Sequence, residues 1–366
     1  MAPRKARFHP RGMARTALLL VGTGLGLGLI EAGLRIHHHL TRETTLRELE
    51  TERELPAPGA RVKLGSMIKP SPHDRLVYEL RPNLDVRFRD ARVRTNSHGW
   101  RGPELARAKP EGTIRILGIG DSVMFGWAVE QEERYLDLLE ARLDERYPER
   151  RWEVIALAAP GYNLPMEVEA LQRYGLTYEP DLILYGYVAN DRCLPNFVAD
   201  DAGALGRGSF LLRTLSGLPL PAPQLVPRRA IANEAGRGPG YTTKFCSPAT
   251  VPARYHSIVG EESFARSLAE LETIGAEHGA PVVIVTHPLG TGSEWPEASE
   301  GVQVVYATGR PGEPGSEVPP PTLRLGFNDP HPNAAGHASI ADRLFESLRE
   351  RGVWDQLLAR AATTEH

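Results

Sequence analysis

From Thr113 onward, short apolar runs alternate with stretches that space leucines at helical intervals. TIRILGI, WEVIAL, PDLILYGYV and APVVIVTH have the length and continuity of buried strands. EQEERYLDLLEARLDERYP places Leu136, Leu139 and Leu143 on one helical face, and a second helix is expected through Met166 and Leu171. ESFARSLAELETIGAEHG predicts a helix ending at Gly279, and AAGHASIADRLFESLRE lines up Ile340, Leu344 and Leu348 in a last one. Strands of this kind between amphipathic helices predict an α/β domain over 113–352, a three-layer α/β/α sandwich around a central parallel sheet. The remaining 353–366 is expected to be a C-terminal tail.

Upstream of Thr113 the pattern is different. Arg4, Lys5, Arg7, Arg11 and Arg15 precede TALLLVGTGLGLGLI, which carries no charge. A spanning helix needs ~20 mostly apolar residues, and this run approaches that length. The following EAGLRIHHHL offers no A-x-A cleavage site, so 1–40 is expected to be a basic cytoplasmic tail and an uncleaved signal-anchor helix. The basic side stays in the cytoplasm and the rest lies outside, in the periplasm or at the cell surface. His37, His38 and His39 are read as an interfacial cluster rather than a metal site. The segment 41–112 reads as a charged stalk up to Pro56, then a small β-rich preface with turns at Pro82-Asn83 and at Asn96-Ser97-His98-Gly99.

Composition narrows the field. The chain has 366 residues, 41% of them hydrophobic, and a formal net charge of −3. That suits one globular domain of generous size with appendages, and gives no electrostatic reason to expect nucleic acid as a partner.

Candidate chemistry gathers where the strands end. In an open α/β sheet, ligands bind beyond the carboxyl ends of the strands. Gly120-Asp121-Ser122 follows the first strand, Gly161 and Asn163 the second, Asn190 and Asp191 the third, while Asp329 and His331 precede the last helix. A hydroxyl, an imidazole, a carboxylate and a side-chain amide would thus share one edge. A serine is a weak nucleophile until a base takes its proton, and His331 is the candidate base. Asp329 and His331 stand two apart in an extended segment, so their side chains leave on one face. Pro330 restricts Asp329 to extended conformations, and Pro332 is placed in the first turn of the following helix. Asp121 is expected to fix the turn, and His287 to be structural.

These blocks resemble the SGNH hydrolases, or GDSL esterase/lipase family, in the bacterial branch with one N-terminal membrane helix. GDSVMFGWAVE matches the family's nucleophile block, Gly161 its glycine block, Asn190-Asp191 its asparagine block and DPHPNAAGH its histidine block, with a looser likeness in TNSHGWRG. The resemblance covers roughly 114–348 and implies a flavodoxin-like order of the layers. It implies Ser122, His331 and Asp329 as the catalytic set, and the Ser122 and Gly161 amides with the Asn190 side chain as the oxyanion hole. Many members space acid and histidine as D-x-x-H, but here Asn328 holds that position and Asp329 is read as the acid. Asp191 is the rival acid.

The function so implied is a serine esterase that needs neither metal nor cofactor and acts on a small ester or an acylated glycan or lipid. Two alternatives stand beside it. One is an O-acyltransferase or deacetylase acting on a cell-envelope glycan, where acyl transfer would need a multi-spanning partner to supply the acyl group. The other is a non-catalytic envelope binding protein. The Pro- and Gly-rich 194–260 is either a cap over the site or a surface loop. Cys193 and Cys246 flank much of it and are either bridged or two free thiols.

Overall fold

The computed structural model describes residues 10–41, 54–194, 211, 215, 246–251, 253–287, 302–306, 321–326 and 329–364. The chain divides into two compact units, 1–42 with 202–223, and 43–201 with 224–366. Within the first, helix α1 (Pro10–Thr41) contains one stretch, Leu18–Ile36, long and apolar enough to cross a membrane. Leu18, Leu19, Leu20 and Leu25 on it are all exposed, an arrangement that water disfavours and lipid does not. His37 to His39 lie in its last turns, where only the backbone is described.

The second unit begins with the β-rich preface. Strands β1 (Arg61–Val62), β4 (Asp85–Phe88) and β5 (Ala91–Arg94) form one small sheet, and β2 (Ile68–Pro70) pairs antiparallel with β3 (Tyr78–Leu80). Apolar and polar positions alternate along β4 and β5, so Val86, Phe88 and Val93 face inward. The preface shares its core with the rest of the unit: Tyr78 Oη donates to Pro160 O at 2.7 Å, and Tyr162 Oη donates back to Tyr78 O at 2.8 Å.

The central sheet contains β6 (Thr113–Gly120), β7 (Arg151–Ala158), β8 (Leu182–Tyr187), β9 (Val282–Thr286) and β10 (Gln303–Tyr306). All are parallel, in the order β10-β9-β8-β6-β7. The expected three-layer α/β/α sandwich with a central parallel sheet is therefore present. Strand β10, at the edge, is one more than the periodicity predicts. Helices α3 (Tyr135–Arg146), α6 (Ala334–Glu350) and α7 (Val353–Thr364) pack together, with Arg142 bonded to Asp342 across the first two. Helices α4 (Leu164–Ala170) and α5 (Glu261–Glu277) form another layer. The expected tail is largely α7, whose Trp354 is fully buried and donates Nε1–H to Phe345 O at 3.0 Å.

Strand β6 is buried along its whole length, as a central parallel strand must be. Its glycines are there for packing: a Cβ on Gly118 would lie 2.7 Å from Leu136 Cδ1, and one on Gly120 2.8 Å from Met124 Cβ. Chain order reverses at β6, with β7 on one side and β8 on the other, so a crevice opens at its carboxyl end. Gly120 pairs with both Ala158 and Gly186, which brings the three strand ends level.

Candidate active site

Ser122 stands at that crevice as the first residue of a four-residue helix, α2 (Ser122–Phe125). Asp121 caps the helix: its Oδ1 accepts from the Val123 amide at 2.9 Å, and its Oδ2 lies 3.1 Å from Ser122 Oγ. Gly126 then takes a left-handed φ of 81° and ends the helix, where a side chain would collide with Arg134. The Arg101 guanidinium, from the TNSHGWRG stretch, donates to Phe125 O at 3.0 Å, Gly126 O at 2.7 Å and Val129 O at 2.7 Å. It gives donors to Phe125 O, which the end of so short a helix leaves free, and to Val129 O, and adds a second to Gly126 O, which also accepts from the Val129 amide at 3.4 Å.

Asp329 and His331 lie in strand β12 (Asp329–Pro332), which pairs antiparallel with β11 (Arg324–Gly326). His331 Nε2 is 2.8 Å from Ser122 Oγ, and His331 Nδ1 is 2.7 Å from Asp329 Oδ1. With Nδ1–H donated to the carboxylate, Nε2 is left as the acceptor for the hydroxyl. The His331 amide also donates to Asp329 Oδ1, at 3.2 Å. Burial favours the neutral form of Asp329, but the His331 hydrogen bond and charge, with the Arg89 cation, outweigh it and hold the carboxyl below its usual range. Pro332 closes the strand rather than opening the helix, because Asn333 is the cap of α6 and accepts from the Gly336 amide at 2.9 Å. Asn328 lies outside the described residues.

Gly161 holds a φ of 83° in the turn after β7, a conformation that favours glycine. Asn190 sits in the turn Ala189–Arg192 after β8, with Nδ2 3.5 Å from Asp121 Oδ2. Asn163 is structural: its Oδ1 caps α4, and its Nδ2 donates to Cys193 O and Ile258 O. Asp191 accepts from Tyr185 Oη at 2.6 Å and from the Val188 amide at 3.0 Å. Burial, reinforced by the charge of Asp121, pushes its carboxyl well above the ordinary range. Glu167 on α4 is pushed up in the same way, by burial first and then by Asp191 and Asp121, and neither of its oxygens finds a partner among the described residues.

His287 is buried beside Tyr135, with Nε2 3.3 Å from its hydroxyl, while His337 stacks on the Tyr135 ring. Burial lowers both imidazoles to about 3 and keeps them neutral. Cys193 and Cys246 are joined by a disulfide. Most of 194–260 lies outside the described residues. Among the described residues there is no cluster of three or more His, Cys, Asp or Glu that could hold a metal ion.

Trp127, Arg89 and Arg101 carry no signal of a role in the sequence. Trp127 stacks on His331, and Arg89 in turn lies 4.7 Å from the Trp127 ring centroid. An aromatic in an apolar run reads as core, and nothing in the spacing of the two arginines foretells that Arg89 meets Trp127 or that Arg101 meets the turn after Ser122.

No family model matches the chain, and no curated protein matches it by sequence. Solved structures do match. An acetylxylan esterase from Geobacillus stearothermophilus is 15% identical, with a TM-score of 0.40, over 67% of this chain and 97% of that one. A family 3 carbohydrate esterase from Clostridium thermocellum is 12% identical, with a TM-score of 0.36, over 68% and 99%. A psychrotrophic esterase from Pseudoalteromonas is 14% identical, with a TM-score of 0.33, over 66% and 98%. The likeness is one of fold, and the chemistry has to be argued from this chain's own side chains.

Proposed function

We propose that the protein is a serine esterase of the SGNH type. The observation that carries this reading is the unbroken chain of contacts from Ser122 Oγ through both nitrogens of His331 to Asp329 Oδ1, at 2.8 and 2.7 Å. Ser122 Oγ attacks the ester carbonyl carbon while His331 Nε2 takes the hydroxyl proton. Asp329 orients the ring and stabilises the imidazolium that forms. The Ser122 amide, in the first turn of a helix and so without an intrahelical acceptor, meets the developing oxyanion together with the Gly161 amide and the Asn190 side chain. Collapse of the tetrahedral adduct breaks the ester C–O bond, and His331 returns the proton to the departing alkoxide. Water, activated by the same imidazole, then releases the acid and restores Ser122.

Helix α1 acts as a signal anchor and holds the catalytic domain outside the cytoplasm. The apolar span Leu18–Ile36 behind a basic N-terminus supports this, as does the Cys193–Cys246 disulfide, a bond that persists in oxidising compartments. A fluorophosphonate probe tests the reading. Intact mass is expected to show one label on the wild-type chain and none on Ser122→Ala. Label at a different serine, or none on the wild type, overturns it.

A further inference from the structure

One residue outside the Ser122, His331 and Asp329 set touches all three, two of them through its side chain. The Trp127 amide donates to Ser122 O at 3.0 Å. Its indole stacks on the His331 imidazole, with centroids 4.9 Å apart and planes 16° from parallel. Its Nε1–H donates to Asp329 Oδ2 at 3.3 Å, leaving Oδ1 for the two donors of His331. The indole is buried and backed by the preface: Phe88 meets it edge-on at 4.9 Å and 86°, and the Arg89 guanidinium lies 4.7 Å from its centroid. Arg89 follows β4 directly, at the turn between β4 and β5, with a left-handed φ of 56°.

We propose that Trp127 is a positioning residue, fixing the plane of the His331 ring and the rotation of the Asp329 carboxylate, with the β4–β5 hairpin as its backing. The proposal rests on the esterase reading above. Its physical basis is that the stacking contact strengthens when His331 becomes charged, while the Nε1–H bond holds the carboxylate that stabilises that charge. An imidazolium over an indole face gains a cation–π attraction that a neutral ring lacks. A carboxylate held at both oxygens cannot rotate away from the ring it must stabilise. Interactions that grow as the transition state forms raise kcat rather than affinity for substrate. A tryptophan that only fills space would do neither.

The test compares the full wild-type chain, in detergent micelles, with Trp127→Phe and Trp127→Leu. Fluorophosphonate titration counts reactive sites, so that kcat refers to folded protein. Trp127→Phe keeps a ring over His331 but loses the N–H, and kcat is expected to fall about tenfold with KM within about twofold. Trp127→Leu loses both contacts, and a fall of about 100-fold is expected. With Trp127→Leu the acidic limb of kcat/KM should also move down by about half a pH unit, and Trp127→Phe should restore most of that shift. Variants that keep wild-type kcat per titrated site and an unmoved limb overturn the positioning role while the esterase reading stands. A wild-type chain that neither labels nor turns over any ester overturns both.

Discussion

Arg101 donates to Phe125 O across the junction between the β-rich preface and the turn that follows Ser122, at 3.0 Å. The same guanidinium holds the next carbonyl, Gly126 O, and Val129 O beyond it. A residue outside the sheet-and-helix domain therefore fixes the turn that presents Ser122.

Arg101→Met should leave Phe125 O and Val129 O buried without this donor, a loss of about 2–4 kcal/mol in stability. Arg101→Lys should recover only part of it, because an ammonium cannot reproduce the guanidinium fork. Thermal unfolding measures the first effect, and the rate of fluorophosphonate labelling reports whether the turn is displaced. A Met variant with wild-type Tm would show that the turn is held by other means.

The identity of the acid can be settled kinetically. Asp329→Asn should lower kcat by roughly 10²- to 10⁴-fold, since an amide cannot stabilise the imidazolium. Asp191→Asn should leave kcat per titrated site nearly unchanged, because its carboxyl is engaged by Tyr185 and Val188. The reverse pattern on one activated ester would transfer the role to Asp191.

Stability should depend on pH through groups of opposite sign. His287 and His337 are held at about 3, below the ordinary 6.5, so the unfolded chain binds more protons between those values. Their contribution is complete above pH 6.5 and is lost as the pH falls toward 3. Glu167 is raised above its ordinary 4.5, so its contribution is complete below that value and is lost as the pH rises through its folded value. Urea midpoints across pH should show a shallower acid arm in His287→Gln and a flatter rise-side loss in Glu167→Gln. Unchanged slopes in both would mean that neither group titrates on unfolding.

Much of the fold was legible because its signals are local. Periodicity exposes β6, β7, β8, β9 and the long helices, and two-residue spacing puts Asp329 and His331 on one face of β12. Strand β10 escaped because four residues, Gln303–Tyr306, carry too little pattern to separate from the glycines and prolines near them. Helix α7 escaped because its apolar stripe is short and follows Arg351-Gly352, which reads as an ending. The meeting of Ser122 with His331, and of Asn190 with Asp121 beside it, follows from the rule for strand ends. Trp127, Arg89 and Arg101 do not: their partners are set by how the preface docks, a tertiary relationship that spacing along the chain does not encode.

That docking decides where the gene can be cut. A fragment starting at Thr113 would retain every strand of the central sheet, yet it would lack Phe88 behind Trp127, Arg101 beneath the nucleophile turn and Tyr78 on Pro160. Such a fragment would expose aromatic surface and orphan several carbonyls in one stroke. The smallest autonomous form of the protein should therefore start ahead of β1, whose Val62 pairs with Phe88, and removing α1 alone is the truncation that leaves the candidate site whole.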